Sequence, residues 1–336
     1  MFHFPTATPM PRTAGRTEWL TQRREGIGSS DISAILGLST YESPYSLWVQ
    51  KTGRAPLDPP ADDRTEELRY WGNRLEPVIR EDTARSLGVD IHKPDVAYRS
   101  NEHPHMIANL DGWCPELEAL FEAKNTDSRN APLWEGQVPD HAELQVHHSA
   151  PIVGADNAII AGFVGGNRLR IHAITIDPNV VEIIVEAEAR FWEYVTSDTP
   201  PPVDGHVRTM ESLTRAWAHK PGVREIPAAD VQDAWTRWAD ADETSKAAEA
   251  AKKQAAAEIA ALMDGHDELR SGDRVWAKAQ RGQLVLDRLT ADKPDLVAEY
   301  TRPRPVFDLE AFKTDHPDTY RAYQGVSIRP KHLKEH

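Results

Sequence analysis

Residues 107–124, Ile-Ala-Asn-Leu-Asp-Gly-Trp-Cys-Pro-Glu-Leu-Glu-Ala-Leu-Phe-Glu-Ala-Lys, constrain the fold more than any other stretch of the chain. Two short apolar runs each end in an acid. Ile107 to Leu110 leads into Asp111, and Leu117 to Phe121 leads into Glu122. Gly112 and Pro115 lie between them as turn signals, so the stretch reads as the two strands of a hairpin. The period of two along a strand puts Glu122 and Lys124 on one face and Ala123 on the other. A hairpin of this kind can bring Asp111 and Glu122 together. Two carboxylates on one edge form a hard oxygen site suited to Mg²⁺ or Mn²⁺. A lysine beside them can position or help deprotonate a water, or stabilise charge on a phosphorane-like transition state. That is equipment for metal-dependent phosphodiester cleavage. An Asp-Gly turn and a strand ending in Glu-Ala-Lys also occur without any chemistry, so the surroundings decide.

Upstream, residues 1–16 are rich in Pro and Thr and read as a flexible N-terminus. Thr17 to Arg24 reads as a short helix. The Gly/Ser segment Gly26-Ile-Gly-Ser-Ser-Asp31 follows and opens a helix over Ile32 to Leu36. Backbone N–H groups and the helix dipole at such a junction suit a phosphate; a plain N-cap by Ser29, Ser30 or Asp31 is the structural alternative. Arg23 and Arg24 beside it favour the phosphate. Ser43 to Gly53 is a second helix, closed by its glycine. Glu66 to Leu87 is a long amphipathic helix whose expected inward face carries Leu68, Trp71, Leu75, Val78 and Ile79. Glu76 lies among them, either as a snorkelling surface residue or as a group aimed into a cleft.

Downstream, strands are expected over Val89 to Tyr98, Met106 to Leu110 and Leu117 to Lys124, then a loop from Asn125 to Pro139 and a helix from His141 to Ser149. Ala158 to Val164 and Leu169 to Ile176 form a hairpin around Gly165-Gly-Asn167, and Pro178 to Thr196 is a helix. Adjacent histidines on a helix point about a hundred degrees apart. His147 and His148 therefore cannot share a metal; one packed and one exposed, with one lining a cleft, is the expectation. After Pro200-Pro-Pro202 the character changes. Glu243 to Met263 favours helix by its Ala, Lys and Glu content. Gly272 to Ala279 with Gly282 to Leu286 suggests a hairpin, Tyr300 to Phe307 an extended segment, and the last residues from Arg329 on are basic and polar. The order of elements up to residue 203 gives an α/β core with a mixed central sheet flanked by helices. The expected division is 1–16, 17–203 and a helical and β extension over 204–336.

At 336 residues, with 40% hydrophobic content, the chain has room for a large domain and an appendage. A single cysteine, Cys114, rules out an intramolecular disulfide and a cysteine-rich zinc module. No apolar run approaches a membrane span, and Met1-Phe-His-Phe-Pro lacks the form of a signal peptide; the cytosol is the expected compartment. The net charge of −14 counts against a general nucleic-acid binder, though not against an enzyme whose basic groups are confined to a channel.

Several blocks, in order, resemble the YqaJ-type viral recombinases, alkaline exonucleases related to phage lambda exonuclease within the PD-(D/E)XK nuclease superfamily. They are Arg23-Arg-Glu-Gly-Ile-Gly-Ser-Ser-Asp31 with Ile35-Leu-Gly37; Ser43-Pro-Tyr-Ser-Leu-Trp48 with Lys51-Thr-Gly53; Gly72-Asn-Arg-Leu-Glu-Pro-Val78; Asn109-Leu-Asp-Gly112; Phe121-Glu-Ala-Lys-Asn125; Trp134 with Val138-Pro139; and Leu144-Gln-Val-His-His148. They span about residues 17–200. The resemblance implies a restriction-endonuclease-like core and a Mg²⁺-dependent 5′→3′ exonuclease, with Mn²⁺ as a substitute metal. It would digest one strand of linear double-stranded DNA from its end and leave 3′ overhangs for a phage single-strand annealing protein (RecT/beta-like). It also implies a bacterial host cytoplasm, phage or prophage origin and, by analogy with toroidal trimers, a homo-oligomeric ring.

By the same resemblance Asp111 and Glu122 are metal-binding acids, Ala123 lends its carbonyl to the metal, and Glu76 completes the metal environment. Lys124 is the catalytic lysine and Gln145 the glutamine on the following helix. Arg23 and Ser30 bind the 5′-terminal phosphate, with Arg24 as the alternative because the doublet leaves the register open. The superfamily's proline before the aspartate is Leu110 here, which changes backbone shape and removes no ligand. Two other readings remain: a structure-specific endonuclease on the same fold, and an inactive DNA-binding accessory protein.

Overall fold

The computed structural model describes residues 2–13, 15–55, 63–216, 222–280, 283–284, 286–301 and 307–323. The chain forms two units, Met1–Ala218 and His219–His336.

The first unit runs β1 (Ala7–Pro9), α1 (Arg16–Arg24), β2 (Ile27–Gly28), a 3-10 turn at Ser29–Asp31, α2 (Ile32–Ile35), α3 (Pro44–Lys51), α4 (Asp63–Leu87), β3 (Tyr98–Ser100), β4 (Met106–Ala108), β5 (Gly112–Cys114), β6 (Ala119–Thr126), α5 (Asp140–Val153), β7 (Asn157–Val164), β8 (Arg168–Thr175), α6 (Pro178–Thr196) and α7 (Val207–Ala216). Local chemistry sets several of these bounds. Ser43 and Ser46 cap α3 reciprocally with Pro44 in its first turn, and Gly53 at φ 76° follows its end.

The main sheet has the order β5-β6-β7-β8. β6 runs parallel to β7 over Ala119–Thr126, and the other neighbours are antiparallel. Parallel neighbours need a crossover, and α5 lies on it. The β7–β8 hairpin turns at Gly165 and Gly166, both at positive φ, as expected from the Gly-Gly-Asn signal. Alternation along β6 divides its side chains between two cores. Leu120 packs with Trp134 and Val146; Ala119 and Phe121 pack with Ile79 of α4. Gly162 in β7 has no room for a side chain, because a Cβ there would sit 2.4 Å from the Trp134 ring. The mixed sheet flanked by helices is the α/β arrangement expected.

A second sheet, β1-β3-β4-β2, holds β2 parallel to β4 with Gly28 opposite Ile107. This pairing sets the Gly/Ser segment beside the strand that leads to Asp111.

Several expectations are corrected. The partner of β6 is Gly112–Cys114, with Gly112 opposite Phe121, and not 107–110, of which Ile107 and Ala108 belong to β4 in the other sheet. Of the strand expected over 89–98, only Tyr98 is in a strand, as the first residue of β3, with a lone bridge between His92 and Trp113. The N-terminus is held: β1 pairs with β3, and Phe4 is buried against Tyr98 and Trp113. The inward stripe of α4 is narrower than expected. Ile79 is buried and Leu75 packs beside it as expected, but Leu68, Trp71 and Val78 are exposed, and Thr83 is buried as well. Both histidines of the doublet are buried. His147 is held by the Glu143 carbonyl and the Asp177 N–H, and His148 by Glu188 and the Ile107 carbonyl. Finally, α7 packs on α3, with Thr209 Oγ1 donating to Ser43 Oγ at 2.7 Å. α7 thus belongs with the first unit, Met1–Ala218.

The second unit contains α8 (Ala228–Met263), β9 (Glu268–Ser271), β10 (Arg274–Lys278), α9 (Leu286–Asp292), α10 (Pro294–Tyr300), α11 (Leu309–Asp315) and α12 (Pro317–Ala322). α8 is a single 36-residue helix with no buried residue; composition and i,i+4 pairs such as Arg237–Asp233 and Lys246–Asp242 support it. The hairpin joins β9 to β10 around Gly272 at φ 60°, earlier than expected. Gly282, most of the segment expected to be extended (302–306) and the basic end from Arg329 lie outside the described residues. Among the described residues, no helix is long and apolar enough to cross a membrane.

Candidate active site

Asp111 sits where the two sheets meet, between β4 and β5. Its Oδ2 accepts a hydrogen bond from the Ala123 N–H at 3.0 Å, so the carboxylate is fastened to β6. The next residue has to be small: a Cβ on Gly112 would lie 2.7 Å from Ile91 Cγ2 and 3.0 Å from Phe121 Cδ1. Glu122 and Lys124 project together from the face of β6 that meets α5, as the period of two requires. The Lys124 ammonium donates to the Glu122 carboxylate and to the Gln145 side-chain oxygen. Glu76 comes from α4 on the other side of the sheet. It accepts from Arg80 Nη1 at 2.9 Å and from Lys93. Arg80 Nη1 also donates to the Asp111 carbonyl at 2.9 Å, which ties α4 to the junction.

Burial, then the nearby charges of Glu122 and Glu76, push the Asp111 carboxyl up to about 7; Lys124 and the Ala123 N–H oppose this without cancelling it. Crowded acids of this kind favour a cation. Among the described residues no three acid, histidine or cysteine side chains are already gathered as a metal cluster, because Glu76 and Glu122 are turned to Arg80, Lys93 and Lys124. The available donors are carboxylate oxygens and the Ala123 carbonyl, a hard oxygen set that fits Mg²⁺ or Mn²⁺.

Arg23, at the end of α1, stands across the cavity. Its Nη2 donates to Ser30 Oγ at 3.2 Å and to Asp31 Oδ1 at 2.9 Å, and its guanidinium lies 5.1 Å from the centre of the Trp19 ring. Asp31 Oδ2 receives Lys51 Nζ at 2.7 Å and the Gly28 N–H at 3.1 Å. Burial alone would raise the Asp31 pKa; the charges of Lys51 and Arg23 and these hydrogen bonds reverse that and hold it at about 2.

A cavity of about 430 Å³ joins the two sides. Its wall includes Arg23, Ser30, Glu76, Asp111, Glu122, Ala123, Lys124 and Gln145. Thus all the expected site residues but Arg24 meet in one place. Arg24 reaches instead to the Ala55 carbonyl at 3.4 Å. Gly72, Glu76 and Ile79 line the same wall from α4, so the inward face of that helix borders a cleft. Sequence reasoning overlooked Arg80, Lys93, Asp31 and Lys51. Arg80 carries a legible signal, the i,i+4 spacing from Glu76, and Asp31 and Lys51 both stand inside quoted blocks. Lys93, far along the chain, has none.

Residues 18–156 match the YqaJ-like viral recombinase domain. The uncharacterized protein YqaJ of Bacillus subtilis (strain 168) is 31% identical over 207 residues, 60% of this chain and 64% of that protein; the chain thus spans just under two thirds of that relative. Among solved structures, an alkaline exonuclease (LHK-Exo) from Laribacter hongkongensis overlaps 55% of this chain and 94% of its own, with 14% identity and a TM-score of 0.43. A phage related exonuclease from Haemophilus somnus 129PT overlaps 52% of this chain and 96% of its own, with 12% identity and a TM-score of 0.40.

Proposed function

With a YqaJ-like viral recombinase domain over residues 18–156 as the premise, we propose that the protein is a divalent-metal-dependent deoxyribonuclease of the PD-(D/E)XK type. It digests one strand of linear duplex DNA in the 5′→3′ direction and leaves 3′ single-stranded overhangs. The observation that carries this reading is the single cavity with Arg23 and Ser30 on one wall and Asp111, Glu122 and Lys124 on another.

Asp111, Glu122 and the Ala123 carbonyl would hold Mg²⁺, with Mn²⁺ as a substitute, and Glu76 would complete its surroundings. When bound, the ion supplies Lewis-acid polarisation of the phosphodiester and charge compensation for the transition state. The chain's own groups do the rest. Arg23 grips the terminal phosphate by charge-assisted hydrogen bonds, and Ser30 Oγ adds a second contact. Holding that end places the next phosphodiester at a fixed distance, which is positional catalysis. Lys124 Nζ, oriented by Gln145 and Glu122, stands beside the attacking water and the developing negative charge. The water oxygen forms a bond to phosphorus, the P–O3′ bond breaks, and the leaving O3′ takes a proton. A mononucleotide departs and the shortened strand carries a new 5′ phosphate, which is again a ligand for Arg23.

Recognition of a terminal phosphate favours an exonuclease over a structure-specific endonuclease. The overhangs would serve a phage single-strand annealing protein in homologous recombination, in the cytoplasm of a bacterial host. A homo-oligomeric ring around the DNA would account for processivity without a strongly basic surface. The direct test is to incubate the protein with 5′-phosphorylated linear duplex and with closed circular duplex, each with Mg²⁺ and with EDTA. Metal-dependent loss of the linear substrate alone is expected; cleavage of the closed circle would favour the endonuclease, and no cleavage of either the inactive accessory protein.

A further inference from the structure

Behind Arg23 lies a buried charge pair to which the reaction assigns no task. The Lys51 side chain, at the end of α3, is fully buried. An ammonium has three N–H donors, and Lys51 directs them at three acceptors: the Arg23 carbonyl at 2.8 Å, the Gly26 carbonyl at 2.7 Å and Asp31 Oδ2 at 2.7 Å. Asp31, itself buried, passes its other oxygen to Arg23 Nη2 at 2.9 Å. One cation therefore fixes Arg23 twice, through its main chain directly and through its side chain by way of Asp31. It also pins the turn at Gly26, and the Gly28 N–H binds Asp31 at 3.1 Å, so the segment that presents Ser30 is held by the same pair. Stability is a poor reason for such an arrangement, since apolar residues of equal volume do as well or better than a buried ion pair. Geometry is the better reason: a guanidinium on a long, flexible stem is held in one pose before any ligand arrives.

We infer that Asp31 and Lys51 are positioning residues for recognition of the 5′-terminal phosphate, setting the Arg23 guanidinium and the Ser30 turn in the pose that grips a phosphate monoester. This rests on the reading of Arg23 as a phosphate ligand. Neither residue touches the DNA. Lys51 acts as a compact point charge, a role that arginine's planar fork does not reproduce.

The test compares initial digestion rates on duplexes with 5′-phosphate and 5′-hydroxyl ends, using the full chain. In wild type the phosphorylated end is cut faster. In Asp31→Asn that ratio falls about tenfold, the scale of one hydrogen bond to a charged group, and KM for phosphorylated ends rises more than kcat falls. Lys51→Arg, which keeps the charge and loses the three-way geometry, also lowers the ratio. A purely structural role would slow both substrates by one factor and leave the ratio unchanged, which would overturn the inference. Should Asp31→Asn fail to fold with Lys51 left uncompensated, the double variant Asp31→Asn/Lys51→Met removes both buried charges and carries the same comparison. A wild type that digests both ends equally would defeat the phosphate reading and the inference with it; a preference that survives in these variants would defeat the inference alone.

Discussion

Asp111 lines one wall of the cavity, Asp31 is buried behind Arg23 on the other, and their environments drive them in opposite directions. Asp31 is met by the chain's own cations and held at about 2. Asp111 is met by Glu122 and Glu76 and pushed up to about 7. The first acid is a finished piece of structure: its charge is answered by Lys51 and Arg23. The second is an unfinished one: Lys124, Arg80 and Lys93 are turned to Glu122 and Glu76, and the Asp111 carboxylate is held by the Ala123 N–H. On the proposed reading, acids with the same side chain serve as a brace and as a binding group, and the difference lies in which neighbours were supplied.

The largest expected effect breaks the comparison at its reactive end. Asp111→Ala or Glu122→Ala should reduce metal-dependent DNA digestion on the order of a thousandfold or more, since each removes a group that holds the charge-stabilising ion. Circular dichroism should show the fold intact; activity retained in both variants would refute the site. Next is Lys124→Ala, where the loss of an oriented charge should cost on the order of 10²–10³ in rate, with Mg²⁺ binding preserved in calorimetry. Loss of Mg²⁺ binding would make the lysine a structural group. Smaller again is the effect on the other wall: Arg23→Ala should bring the preference for 5′-phosphorylated over 5′-hydroxyl ends, on the order of a hundredfold for two charged hydrogen bonds, close to unity, whereas Arg24→Ala leaves it. The reverse outcome would move the phosphate pocket by one residue.

The smallest effect is on stability, and it sharpens the contrast by sign. Asp31 has a folded pKa below its unfolded value, so it contributes stability above about pH 4 that is lost as pH falls from about 4 to about 2, on the order of 2 kcal/mol. Asp111 has a folded pKa above its unfolded value. Between about pH 4 and about pH 7 the unfolded chain has released a proton that the folded chain keeps, so folding weakens as pH rises. In EDTA, Asp111→Asn should therefore raise Tm at pH 8 and change it little at pH 4, while Asp31→Asn should lower Tm at pH 7. Melts of Asp111→Asn at pH 8 and pH 4 and of Asp31→Asn at pH 7 check this; a lowered Tm for Asp111→Asn at pH 8 would erase the distinction.

Much of the site was legible because it obeys short-range rules. Glu122 and Lys124 two apart on a strand, and Arg23 just ahead of a Gly/Ser turn, need only local periodicity. Asp111 was found for a partly wrong reason: it does reach β6, but through a strand that begins after it, because Gly112 can press against Phe121 where a larger residue cannot. The stripe of α4 is narrower than its periodicity suggests because a helix bordering a cleft turns Gly72 and Glu76 to the cavity beside the buried Ile79. Lys51 and Glu188 were invisible as buried groups. A lysine and a glutamate read as surface residues until a partner distant in sequence, Asp31 or His148, is known to meet them. The N-terminal strand escaped for the same reason, since Phe4 packs edge-on against Tyr98 and Trp113, 94 and 109 residues further along the chain.

β6 is paired on both edges, with β5 on one side and with β7 along its whole length on the other. Its side chains alternate between α5 and α4, so their facing is a matter of counting from the strand's start. This divides the region by its tolerance of insertions and deletions. One residue added in the turn at Pro115–Leu117 is absorbed before the strand begins. One residue added after Ala119 and ahead of Glu122 turns the carboxylate and the ammonium to the α4 side and brings apolar residues to the α5 side, with no charge lost from the composition. Variation in length is therefore expected in the turns around this strand, and substitution is the kind of change that the strand itself can accept.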